Sequence, residues 1–177
     1  MGVRLVSTLL FTTIVAAAAI PAQVTRTSVP GVTNFARIES TVACAGATTP
    51  EGVAEVRKLG YAAIINLRQA SESGANVDAE AAAAREAGLR FIHLPVNGGS
   101  PDPAAVDRFL AAIADPANQP AFVHCASGNR AAAFWMIKRL VVDEWDADRA
   151  ATEAAALGLT NAALKAFALD YAASRRK

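Results

Sequence analysis

Ala121-Phe122-Val123-His124-Cys125-Ala126-Ser127-Gly128-Asn129-Arg130 is the stretch on which the reading of this chain turns. An apolar run of strand length ends in a cysteine, a short glycine-containing turn follows, and Ala131 to Val142 then reads as a helix. A strand that is apolar throughout is buried on both faces, as in a parallel sheet. In open sheets of that kind, ligands bind beyond the carboxyl ends of the strands. The N–H groups of the turn and the N-terminus of the helix form an anion site. The same field favours thiolate over thiol, which makes a nucleophile at neutral pH. Gly128 lets the turn curl without a Cβ clash. Arg130 presents a planar fork of donors that matches an oxyanion. Cys125 alone would read as a small buried residue. Nucleophile, anion cradle and cationic clamp within six residues outweigh that reading.

Outward from this stretch, strands and helices alternate. Thr48 is the expected cap of a helix with Pro50 in its first turn, Glu51 three residues on, and Val53, Val56 and Leu59 on one face. Tyr61 to Leu67 is a second buried strand. Residues 77–87 read as a helix stopped by Gly88, and Leu89 to Val96 as a strand around Phe91, Ile92 and Leu94. Asp102 caps a helix carrying Val106, Phe109, Leu110 and Ile113, and two more helices begin near Asp146 and Thr160. Phe35, Ile38 and Val42 to Cys44 are short apolar pieces compatible with strands. This pattern predicts an α/β fold with a central mostly parallel sheet in a single domain over 34–177.

Composition agrees and excludes alternatives. The 177 residues are 53% hydrophobic and 19% charged, which is globular rather than disordered. Two cysteines and two histidines are too few for a disulfide scaffold or a Cys/His zinc array. His93 and His124 both fall on predicted strands, so no metal site is expected. A net charge of +1 gives no footprint for nucleic acid. Alanine makes up about a quarter of the chain, so each buried residue removes less area from water than leucine would.

The N-terminus has its own signature. Arg4 precedes an uncharged run from Leu5 to Ile20, closed by Pro21-Ala22-Gln23. This predicts a secretory signal peptide over 1–22, cleaved after Ala22 or after Ala19. The run of about 16 apolar residues is short of the ~20 that span a bilayer, so no stable membrane anchor is expected after cleavage. The protein is then exported, to the periplasm or beyond, where disulfides persist. Residues 23–33 read as a loose Thr/Pro/Gly linker. Trp135 reads as a buried anchor, Trp145 as partly exposed, and Arg68 as a solvated side chain.

His124-Cys125-Ala-Ser-Gly-Asn-Arg130 resembles the signature loop of the cysteine-dependent phosphatases of the dual-specificity type. The bacterial beta-lactamase hydrolase-like phosphatase domains are closest in pattern. Ala45-Gly-Ala-Thr-Thr-Pro50-Glu-Gly52, Ile65-Asn-Leu-Arg68 and Leu94-Pro-Val96 match their other motifs in order. The resemblance covers roughly residues 34–160 and implies a three-layer fold with about four to five strands. It implies that Cys125 is the nucleophile, Arg130 the clamp, and Ala126, Ser127, Gly128, Asn129 and Arg130 the phosphate cradle. His124 would tune the cysteine from behind. Cys44, on a neighbouring strand, would be a redox partner for Cys125. No cofactor is implied. The partner would be a small phosphorylated substrate, a phosphoprotein or a sulfur donor.

Three departures shape the expectation. Four residues separate Cys125 from Arg130, where the common phosphatase loop has five, and this shorter ring resembles that of rhodanese-type sulfurtransferases. Ala131 stands where a Ser or Thr commonly follows the arginine, with Ser127 as a stand-in. Asn97 stands where an acid is first sought, which leaves Asp102 as candidate general acid or as a plain helix cap. Three functions therefore compete: phosphatase-like hydrolase, sulfurtransferase or persulfide carrier, and non-catalytic oxyanion-binding module. Selectivity is expected from the loops near 68–77 and 97–101.

Overall fold

The computed structural model describes residues 23–38 and 41–175. Its elements are β1 (Val24–Arg26), β2 (Ala36–Ile38), β3 (Val42–Ala45), α1 (Pro50–Lys58), β4 (Ala63–Asn66), α2 (Val77–Glu86) and β5 (Arg90–His93). Then come α3 (Pro103–Ala114), a 3-10 turn at Pro116–Asn118, β6 (Ala121–His124), α4 (Asn129–Val141), α5 (Ala147–Leu157) and α6 (Ala162–Arg175). The signal peptide expected at 1–22 lies outside the described residues.

The strands form one sheet in the order β1-β2-β3-β6-β4-β5. The β3, β6, β4 and β5 strands pair in parallel, and β2 and β1 extend that sheet through antiparallel pairs. The sheet has six strands rather than four to five. The additional one comes from the expected linker at 23–33. Val24 and Thr25 are β-branched, which suits a strand, and they pair with Ile38 and Arg37. Arg26 Nε donates to the Ala156 carbonyl at 3.0 Å and ties this edge to α5. Val29 and Val32 are also buried, so the segment is part of the domain.

Side chains along the strands alternate between two cores, which gives the three layers. Val42, Cys44, Ile65, Val123 and Cys125 pack on the face that holds Phe109 of α3, Trp135 of α4, Leu157 of α5 and Leu164 of α6. Ala43, Ala45, Ile64 and Phe122 pack on the other face, against Val53 and Val56 of α1 and Ala84 of α2. Larger buried side chains contribute about 1.5–3 kcal/mol each and the alanines less. α4 packs against both α5 and α6, and every residue from Arg130 to Ile137 is buried.

The chain lays down β3, β4 and β5, then returns to insert β6 between β3 and β4. The turn after β6 therefore emerges between the carboxyl ends of two parallel neighbours, the crevice such sheets use for ligands. Helix boundaries differ from expectation by local chemistry. Pro50 takes the first helical position, so Thr49 rather than Thr48 caps α1, accepting from Gly52 N at 3.2 Å. Gly128, at φ +96°, precedes α4, which starts at Asn129 rather than Ala131. Asn161 rather than Thr160 caps the first turn of α6, accepting from Leu164 N at 3.0 Å.

Candidate active site

Cys125 follows β6 and is 1% exposed. Its amide donates to the Ala45 carbonyl at 3.2 Å, which continues the β3–β6 ladder one step past the strand. Its Sγ accepts from the Gly128 amide at 3.1 Å, so the turn closes over the sulfur. The outside of the turn is anchored. Ala126 accepts from Ala47 N at 3.0 Å, and Ser127 accepts from Asn34 Nδ2 at 3.1 Å. Gly46 is needed for this approach, because a Cβ there would lie 3.1 Å from the Ala126 carbonyl oxygen and 2.4 Å from Thr33 Oγ1. Asn129 Oδ1 accepts from Thr160 N at 2.7 Å and Asn161 N at 2.8 Å, tying the turn to the start of α6.

Arg130, 7% exposed, is the most constrained side chain of the site. Its Nη1 donates to the carbonyls of Leu67 at 3.0 Å and Val96 at 2.7 Å, and also meets Glu72 Oε1. Its Nη2 donates to Glu72 Oε2 at 2.7 Å. Glu72 Oε1 also accepts from Gln69 N at 2.7 Å. These acceptors leave Nε and one N–H of Nη2 for an oxyanion. Burial works to lower the Arg130 pKa, but the Glu72 hydrogen bond and the field of Cys125 outweigh it and hold the guanidinium charged. Burial likewise works to raise the Glu72 carboxyl. Its bonds from Arg130 and Gln69 reverse that, and it titrates below the usual carboxylate range.

His124 is fully buried on the face of β6 opposite Cys125. Its Nε2 lies 2.7 Å from Glu80 Oε1, an ion-pair distance without hydrogen-bond alignment, and its Nδ1 has no hydrogen-bond partner among the described residues. Glu80, 3% exposed, accepts through Oε2 from Asn66 Nδ2 at 2.8 Å, and Asn66 Oδ1 accepts from Arg68 N at 2.7 Å. Cys44 pairs with Val123 in register and faces the same core as Cys125. Both cysteines are free thiols. Burial, then the proximity of Cys125 and Glu153, pushes the Cys44 thiol well above its usual range.

The structure brings Cys125, Arg130, Ser127, Gly128 and Asn129 together and leaves Asp102 aside. Asp102 caps α3, accepting from Ala104 N at 2.9 Å, and does not line the cleft above the cysteine turn. The carboxylate in that cleft is Glu72. Among the described residues no group of His, Cys, Asp and Glu is arranged to hold a metal ion.

Comparison with known proteins agrees with this geometry. Residues 34–142 match the family model for the phosphatase-like domain of beta-lactamase hydrolase-like proteins. The chain belongs to that family. This phosphatase-like domain is 35% identical over 106 residues to the beta-lactamase hydrolase-like protein of Xylella fastidiosa strain Temecula1, covering 59% of the chain and 24% of that protein. It spans about a quarter of the length of the curated relatives it matches. Its fold is shared with a putative phosphatase of Shewanella putrefaciens CN-32, at TM-score 0.68, 21% identity, and coverage of 82% and 95% of the two chains. The core catalytic domain of the PP-IP phosphatase SIW14 of S. cerevisiae gives 0.65, 18%, and 80% and 87%. TpbA of P. aeruginosa gives 0.64, 23%, and 87% and 91%.

Sequence reasoning missed three residues of the phosphatase-like domain's site. Glu72 sits in Ser71-Glu72-Ser73-Gly74, which reads as a polar turn, and only its place in the loop near 68–77 marked it. Glu80 stands in an alanine-rich helix with no apolar stripe to betray an inward face. Arg68 is buried rather than solvated, at 5% exposure, with its fork spent on the Ser73 and Gly74 carbonyls at 2.6 and 2.9 Å. Trp135 is the expected buried anchor, and its Nε1 donates to Glu153 at 2.8 Å.

Proposed function

We propose that this domain is a phosphatase-like hydrolase that works through Cys125 as nucleophile and the Cys-x4-Arg turn as its anion cradle. The observation that carries the reading is the partition of the Arg130 donors. Glu72 and two carbonyls hold one edge of the guanidinium, and the donors left over serve the ligand. The Cys125 thiolate attacks phosphorus, an S–P bond forms, and the P–O bond to the leaving group breaks with its electron pair on oxygen. Water then attacks the thiophosphate, inorganic phosphate departs, and the thiolate returns. Arg130 and the amides of Ala126 to Arg130 stabilise the equatorial oxygens. With Asp102 engaged at the α3 cap, the leaving group departs without help from that acid, so aryl phosphates are favoured over alkyl phosphates.

The family and the fold support this reading, and so does TpbA, a fold neighbour that has been solved in complex with pTyr. The basic and then apolar N-terminus supports export of the domain. The test is turnover of an aryl phosphate. Cys125→Ser is expected to lower kcat by roughly 10³-fold or more, as loss of a covalent nucleophile does. Turnover that survives the substitution would assign the activity elsewhere.

The four-residue turn favours a second reading, a sulfurtransferase. Cys125 would take the outer sulfur of thiosulfate, release sulfite as the S–S bond breaks, and hand the persulfide sulfur to cyanide as thiocyanate. Mass spectrometry of Cys125 separates the two. Gain of one sulfur atom without aryl phosphate turnover decides for sulfur transfer, and phosphate binding without either reaction decides for a non-catalytic oxyanion module.

A further inference from the structure

We infer, resting on the phosphatase reading only for Arg130 as the oxyanion clamp, that Asn66 and Glu80 are positioning residues which aim that clamp from behind the sheet. Asn66 ends β4, in register with His124 on one neighbouring strand and His93 on the other, and is 1% exposed. Its Oδ1 accepts from Arg68 N at 2.7 Å. A side-chain oxygen bonded to the amide two residues on makes an Asx turn, which ends a strand and sets the direction of the peptides that follow.

That direction decides where the anchors of Arg130 lie. Inside the turn, the Leu67 carbonyl accepts from both Val96 N at 3.1 Å and Arg130 Nη1 at 3.0 Å. Arg68 is then held at its carbonyl as well as its amide, because the carbonyl accepts from His93 Nε2 at 2.8 Å. Its guanidinium folds back on the Ser73 and Gly74 carbonyls, with Nε 3.5 Å from Glu72 Oε2. The loop closed in this way delivers Glu72 to Arg130 Nη2 at 2.7 Å. The Leu67 carbonyl and the Glu72 carboxylate, two of the three groups that hold the guanidinium, thus leave the sheet through Asn66. An amide makes this turn only with its oxygen toward Arg68, and Glu80 imposes that orientation. Glu80 is 3% exposed, and a carboxylate only accepts. The Asn66 amide therefore presents Nδ2 to Glu80 Oε2, at 2.8 Å, and turns Oδ1 the other way. The other oxygen of Glu80 faces His124 Nε2 at 2.7 Å, so both are committed. Neither Asn66 nor Glu80 lines the cleft, and each acts through Leu67 and Glu72.

The test exchanges donor and acceptor between the two positions. Asn66→Asp keeps an oxygen for Arg68 N but sets a second carboxylate against Glu80. Asn66→Asp combined with Glu80→Gln restores the bond with its direction reversed and keeps an oxygen toward His124. Tungstate, a phosphate-like oxyanion, is titrated calorimetrically into each folded protein, and kcat/KM for an aryl phosphate is measured beside it. Asn66→Asp is expected to weaken tungstate binding and lower kcat/KM by about ten-fold or more, because small displacements of a positioned group are costly. The double variant is expected to return both to within about three-fold of the natural chain, as coupled neighbours do. Unchanged tungstate affinity in Asn66→Asp overturns the positioning roles, and so does a double variant that binds no more tightly than Asn66→Asp. If Asn66→Asp does not fold, Asn66→Ala removes the turn without adding charge and carries the same expectation, and unchanged affinity there overturns the roles equally. All of these outcomes leave the phosphatase reading standing. Tungstate binding without aryl phosphate turnover in the natural chain overturns the phosphatase reading alone, because the affinities still decide the positioning. A natural chain that binds no tungstate overturns both.

Discussion

Arg130 has five N–H donors, and its neighbours use them unequally. The Leu67 and Val96 carbonyls and the Glu72 carboxylate take one edge, which orients the other toward the sulfur. Cys125 was legible from the sequence because a nucleophile, a glycine turn and an arginine lie close together in the chain. Glu72 was not, because it reaches Arg130 across 58 residues and nothing in its own surroundings announces the contact. The second cysteine offers a test at this scale. The Cys44 thiol is pushed up chiefly by burial, so its folded pKa exceeds its unfolded one. Such a group's contribution is fully present below the unfolded pKa, near 9.0, and is lost as pH rises beyond it. Stability is therefore expected to fall above pH 9 with a slope of up to about 1.4 kcal/mol per pH unit from this thiol. Denaturant midpoints between pH 8 and 10.5 should show that slope in the natural chain and a shallower one in Cys44→Ala. Equal slopes would place the Cys44 thiol in contact with solvent.

At the scale of elements, α3 separates two readings of one residue. Asp102 was a candidate acid and a candidate cap, and its Oδ1 accepts from Ala104 N with Pro103 in the first helical position. Asp102→Ala is expected to cost about 1 kcal/mol of stability, the usual worth of such a cap, and to leave kcat/KM for an aryl phosphate unchanged. A large drop in kcat with unchanged stability would return the acid role to Asp102. The order and type of the elements from α1 onward were legible, because apolar runs and glycine stops marked each one. β1 was not, because three residues between turn-rich flanks carry no period to read. Boundaries moved by one or two residues where a proline or glycine shifted the cap, as at Thr49 and Gly128.

Across the whole molecule, a chain rich in alanine gains its cohesion from a few large side chains and from polar clusters that are well partnered. Trp135 and Arg139 on α4 converge on Glu153 of α5, at 2.8 and 2.7 Å, and Arg139 lies over both the Trp135 and Trp145 rings, at 4.8 and 4.2 Å from their centroids. Glu153→Ala would leave the Trp135 indole N–H without its acceptor and Arg139 with Asp143 as its remaining carboxylate, at 2.9 Å. It is expected to cost about 2 kcal/mol, within the ~1–3 kcal/mol for leaving a buried donor unsatisfied. Urea denaturation measures this, and a loss below about 1 kcal/mol would mean water replaces the carboxylate freely. The α/β architecture with a central mostly parallel sheet was legible in the alternation of elements, and its three layers in the family resemblance. The convergence on Glu153 was not, because it joins two helices whose facing sides only the assembled fold defines.

The tie from Asn129 to Thr160 and Asn161 sets the size of the portable unit. The family match ends at residue 142, inside the layer that α5 and α6 complete. A graft cut at that border would carry the signature and lose its lid, leaving the buried flank of α4 bare and the anion turn without one of its moorings. For recombination or fusion, the piece to keep whole runs from the edge strand at Val24 to the last helix, because Arg26 ties that strand to α5 at Ala156 and Asn129 holds the start of α6.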